Sequence, residues 1–76
     1  MSPDRLKVGS YGYLSFTLKK KYKHDAVETG FKMMAEIMEN DDGHVLARDN
    51  DGMIYLIPKK QIRDYKQRMK IHHENN

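Results

Sequence analysis

The stretch HDAVETGFKMMAEIMENDDG, residues 24–43, satisfies two periodicities, and the fold turns on which one the chain uses. Read as a helix, it offers Asp25 as N-cap with Glu28 at the capping-box position. Val27, Phe31, Met34 and Met38 then recur near the helical repeat, and Met, Ala and Glu are good helix formers. Read as a strand, it points Phe31, Met33, Ala35 and Ile37 one way and Lys32, Met34, Glu36 and Met38 the other. Gly30 opposes the helix, where it would cost roughly 1 kcal/mol, and Thr29-Gly30 reads naturally as a strand entrance. The downstream sequence decides for the strand. The alternative is an α+β chain with a helix over about residues 26–39.

Downstream lies NDDGHVLARDNDGMIYLIP, residues 40–58. Asp42-Gly43 and Asp51-Gly52 are turn dipeptides flanking the short apolar runs HVLAR and MIYLI. Turns at this close spacing describe an antiparallel meander. A strand before the first turn gives it three members, enough to stand where an isolated hairpin barely can. Upstream, GSYGYLSFTL (residues 9–18) puts Tyr11, Tyr13, Ser15 and Thr17 on one face of a strand and Leu14, Phe16 and Leu18 on the other. Gly9 and Gly12 permit a bend there. KKKYKHD then reads as a charged loop.

Pro58 cannot donate to a β-ladder, so it closes the strand MIYLI. The turn PKKQ brings Ile62 back onto the core. The pattern Gly52, Ile54, Tyr55, Ile57, Pro58 and Ile62 resembles the close of small β-barrels of the Tudor and KOW (SH3-like) type, over about residues 30–65. The resemblance implies a late strand that runs into a short helical turn. Beyond it, Ile62, Tyr65 and Met69 fall at helical spacing, with Asp64 four residues before Arg68. The expected fold is therefore mainly β: a small SH3-like antiparallel barrel of four to five short strands with a C-terminal helix. It forms one domain over residues 1–76, with residues 1–7 and 71–76 loosely held.

At 76 residues the core is thin. With no cysteine, neither disulfides nor thiolate metal sites are available to brace it. No apolar run approaches the roughly 20 residues that span a bilayer, and the start lacks a signal-peptide pattern, so the chain reads as soluble, non-membrane and cytoplasmic. The net charge of +3 conceals a block pattern. Residues 1–24 carry six Lys/Arg against Asp4. Residues 25–51 carry Lys32 and Arg48 against eight Asp/Glu, and residues 52–76 carry six Lys/Arg against Asp64 and Glu74. Basic ends can attract phosphate, or they can pair with the chain's own acidic middle.

Catalytic and metal chemistry find little footing. Setting Gly52 at position six of a calcium loop puts Asp49 and Asp51 at positions three and five. Ala47 and Pro58 then stand where carboxylates are required, so the hairpin turn is the better reading. His24, His44, His72 and His73 have no ligand-like spacing. No nucleophile elbow or glycine-rich phosphate loop is present. The expectation is a non-enzymatic protein with no cofactor.

The lysine-rich segments carry the functional expectation. Lys19, Lys20, Lys21 and Lys23 surround Tyr22, and Lys59, Lys60, Arg63, Lys66 and Lys70 extend the same surface if the two ends of the chain meet. Lysine and arginine neutralise phosphates, and aromatic faces stack on bases. That predicts nucleic-acid binding with weak sequence preference. The bland alternative is a lysine loop that blunts an edge strand. Tyr11 and Tyr13 read as core or half-buried strand residues. A second expectation is a protein-interaction module docking on a larger complex, motivated by Met33, Met34, Met38, Met53 and Met69, with homodimerisation through an edge strand as its variant.

Overall fold

The computed structural model describes residues 6–69, a five-stranded antiparallel sheet. The strands are β1 (Tyr11–Tyr22), β2 (Asp25–Asn40), β3 (His44–Asp49), β4 (Ile54–Pro58) and β5 (Ile62–Arg68), with one 3-10 turn, Lys59–Gln61, between β4 and β5. Their order in the sheet is β4-β3-β2-β1-β5.

The ambiguous stretch is strand throughout. Tyr22 pairs with Asp25 across the two-residue turn Lys23-His24, and the ladder then runs without interruption to Tyr11 opposite Glu36. Asp25 is therefore the first residue of β2 and caps no helix. Tertiary pairing overrides the local helix propensity of Met, Ala and Glu, because the strand reading buries Ala35 and Ile37 completely beside Leu14 and Phe16. The residues read as a charged loop, Lys19–Tyr22, continue β1 instead. At twelve and sixteen residues, β1 and β2 are also long where short strands were expected.

The core holds Leu6, Leu14, Phe16, Ala35, Ile37, Val45, Ala47, Ile57 and Tyr65. Leu6 belongs to a segment the sequence suggested was loosely held, yet it is 1% exposed. Its carbonyl accepts a hydrogen bond from the Asn40 amide, and just beyond it the Gly9 N–H donates to the Ile37 carbonyl. Residues 1–5 and 70–76 lie outside the described residues.

The expected C-terminal helix is absent from the described residues: Ile62–Arg68 is the edge strand β5, antiparallel to β1. Its helix-like spacing has a different origin. Ile62 pairs with Phe16, Asp64 with Ser15 and Tyr65 with Leu14, so Arg63 is the extra residue of a β-bulge. The bulge resets the alternation and lets Ile62 and Tyr65, three apart, share the core face. Met69, the third member of the supposed stripe, is 86% exposed.

Both Asp-Gly turns are built as expected, with a neighbouring aspartate completing each. The Asp41 carboxylate accepts the Gly43 and His44 N–H groups. The Asp49 carboxylate accepts those of Asp51 and Met53, with Gly52 at φ +87°. Pro58 ends β4, and the 3-10 turn bridges the edges of the sheet: Lys59 N–H donates to the Gly43 carbonyl, and the buried Gln61 amide donates to the Thr17 hydroxyl at 3.0 Å.

Candidate nucleic-acid interface

Directly opposed residues in an antiparallel pair share a face, so the register assigns each basic side chain to a side of the sheet. The core takes the face of Leu14, Phe16 and their partners. The outer face of β5, β1 and β2 carries, row by row, Arg68–Tyr11–Glu36, Lys66–Tyr13–Met34, Asp64–Ser15–Lys32, Thr17–Gly30, Lys19–Glu28 and Lys21–Ala26. Lys19, Lys21, Lys32, Lys66 and Arg68 therefore lie on one side. Tyr13 sits between Lys66 and Met34, 41% exposed.

Three carboxylates share this face, and two of them are matched. Glu36 accepts Arg48 at 2.8 Å, and Glu28 accepts Arg63 at 2.9 Å. Glu28 also accepts the Thr17 hydroxyl. That hydrogen bond, followed by the Arg63 and Lys19 charges, holds its carboxyl below the usual glutamate value. Asp64 accepts the N–H of Tyr65. Among the described residues the ion pairs are these two, and the lysines take part in neither. Asp41, Asp42, Asp49 and Asp51 lie in the two meander turns, where Asp41 and Asp49 bind backbone N–H groups. Asp49 also accepts the Tyr55 hydroxyl at 3.2 Å.

The residues that the sequence nominated divide by location. Lys19, Lys21 and Lys66 share the outer face. Arg63, at the bulge, reaches it through Glu28 and also donates to the Lys60 carbonyl, and the pairing of β5 with β1 brings the two basic segments of the chain together. Lys20 and Tyr22 alternate onto the opposite face, across from Val27 and Asp25. Lys23 stands at the hairpin turn with φ +56°, its ammonium 5.9 Å from the Tyr22 ring centre. Lys59 and Lys60 lie in the 3-10 turn. Lys70 falls outside the described residues.

Tyr13, Lys32 and Arg68 were missed. Alternation puts Tyr13 with Lys19 and Lys21 once β1 runs on past Leu18, where the sequence reading had ended the strand. Lys32 and Arg68 needed the registers, which are set by the two-residue turn and by the Arg63 bulge. Met33 packs on the core, while Met34 and Met38 are half-buried, so they form no open methionine patch. No described helix is long and apolar enough to cross a membrane. Among known proteins, no family model, curated protein or solved structure matches this chain.

Proposed function

We propose that this chain is a non-enzymatic nucleic-acid-binding module on an SH3-like barrel, contacting backbone phosphate through the outer face of β5, β1 and β2. The fold assignment is supported by the strand order and by the single 3-10 turn between the last two strands, the feature expected from the Tudor and KOW resemblance. The observation that carries the function is the placement of Lys66, Lys32, Lys19 and Lys21 along one face of the sheet, with the exposed Tyr13 beside Lys66 and with Glu28 and Glu36 held by arginines. Ammonium groups neutralise phosphates and release counterions, and the tyrosine ring offers a stacking surface indifferent to base identity. Weak sequence preference follows.

The test is fluorescence anisotropy with labelled single- and double-stranded oligonucleotides across a salt series. Binding should weaken steeply as salt rises. The triple variant Lys19→Glu, Lys21→Glu, Lys66→Glu should weaken it further and flatten the log–log salt slope by roughly three units, about one per lost phosphate contact. Failure to bind any of these oligonucleotides at low salt would refute the proposal.

A further inference from the structure

Strand β4 is an edge of the sheet, yet it carries no charged side chain and displays Ile54 and Leu56 at 54 and 63% exposure, with Met53 just before it at 59%. An open apolar edge strand is a template for another strand. Its backbone is also poised to pair. Asp49 N–H donates to the Met53 carbonyl and Lys59 N–H to the Gly43 carbonyl, so the odd-numbered residues of β4 face β3. By alternation the backbone groups of Ile54, Leu56 and Pro58 point away from the sheet.

We infer that β4 pairs antiparallel with β4 of a second copy of this chain, about a two-fold axis through Leu56. This proposal is independent of nucleic-acid binding. In that register Leu56 of each copy donates its N–H to Leu56 of the other, and Ile54 donates to the Pro58 carbonyl. Pro58 lacks only the reciprocal donor, so it limits the pairing to this short strand and still permits it. The side chains agree: Leu56 meets Leu56, and Ile54 meets Pro58, on the face where Leu46 already lies beside Leu56.

Charge chooses the occupant. β4 is preceded by the turn bearing Asp49 and Asp51 and followed by Lys59 and Lys60. An antiparallel second copy lays the acidic turn of each chain against the lysine pair of the other, whereas a parallel arrangement would stack like on like. A strand of this very sequence is thus self-complementary at its centre and at both ends.

The experiment is sedimentation equilibrium on the nuclease-treated full chain, over micromolar to millimolar concentration. The wild-type mass should rise towards twice the monomer. Leu56→Lys should weaken association at least about tenfold, because it sets two ammonium groups directly opposite each other. Its side chain faces solvent in the monomer, so circular dichroism should report an unchanged fold. Asp51→Lys should weaken the dimer, and adding Lys60→Glu should restore it. A wild-type protein that stays monomeric throughout, or a dimer indifferent to Leu56→Lys, overturns the proposal. Failure of the charge swap to restore association overturns the antiparallel register.

Discussion

Gly12 and Lys66 approach so closely that a Cβ on Gly12 would stand 2.5 Å from the Lys66 carbonyl oxygen, with the Gln67 Cα at 2.8 Å. β5 runs paired beside β1 here, and neither backbone can retreat without breaking the ladder from Tyr11 to Phe16. Gly12→Ala should therefore peel β5 from the sheet and expose Tyr65, a loss of about 2–3 kcal/mol in the range of overpacked cores. Urea unfolding followed by far-UV circular dichroism measures it. Gly30→Ala is the control, since a Cβ there meets nothing within 4 Å.

Ser10 and Tyr65 share a buried hydroxyl–hydroxyl hydrogen bond of 2.7 Å, and the Ser10 hydroxyl also donates to the Lys7 carbonyl. Tyr65→Phe keeps the ring and leaves Ser10 with its backbone partner, so no buried donor is stranded. The expected cost is about 1 kcal/mol in thermal or chemical unfolding. Ser10→Ala strands the phenol and should cost more.

Lys23 holds φ +56° at the hairpin turn, a conformation that costs an L-residue roughly 1–2 kcal/mol. Lys23→Gly relieves that strain, partly offset by glycine's greater chain entropy. A net gain of about half a kcal/mol is expected, read as slower amide exchange across the Tyr22–Asp25 pair. Nucleic-acid affinity should fall slightly in the same variant, because one tip charge is gone.

Acid should destabilise the protein through Glu28 and Asp41. Both are held below their ordinary values: Glu28 chiefly by the Thr17 hydroxyl, with Arg63 and Lys19 behind it, and Asp41 by the His44 and then the Gly43 N–H. A depressed folded-state value means that each contribution is complete above the free carboxylate value, 4.5 for glutamate and 3.8 for aspartate, and fades as pH falls through the lowered one. Tyr65 is raised from 10.0 by burial, so its contribution is full below that pH and fades above it. Unfolding midpoints against pH should show a plateau between these limits. Glu28→Gln and Asp41→Asn together should soften the acid limb and leave the alkaline limb unchanged.

The sheet was legible wherever turn chemistry or alternation stood alone. Asp42-Gly43, Asp51-Gly52 and the Leu14–Phe16 alternation predicted two turns and the faces of one strand that the structure contains. The expected C-terminal helix has one physical source. The Arg63 bulge adds a residue that mimics helical spacing between Ile62 and Tyr65, and no local property of IRDYKQR distinguishes the two readings. Only the partner strand, with Leu14 and Phe16 waiting across the ladder, selects one. The basic face was legible in residue type and half legible in arrangement. Reading KKKYKHD as a loop left Lys19 and Lys21 undivided from Lys20, and joining Lys32, Lys66 and Arg68 to them needed pairings between distant segments.

β5 accompanies β1 only as far as Phe16, and β3 accompanies β2 only from Ala35 onward. Between Lys19 and Gly30 the hairpin consequently protrudes as a two-stranded ribbon, tethered to the body by the Arg63–Glu28 pair, in a molecule 53 Å long and 17 Å thick. Its backbone is guarded by a single ladder and almost no apolar burial, which places it among the regions that open without the rest unfolding. A trypsin-like protease meeting the lysines there would sever the ribbon first and leave a nicked body whose nine-residue core is still assembled.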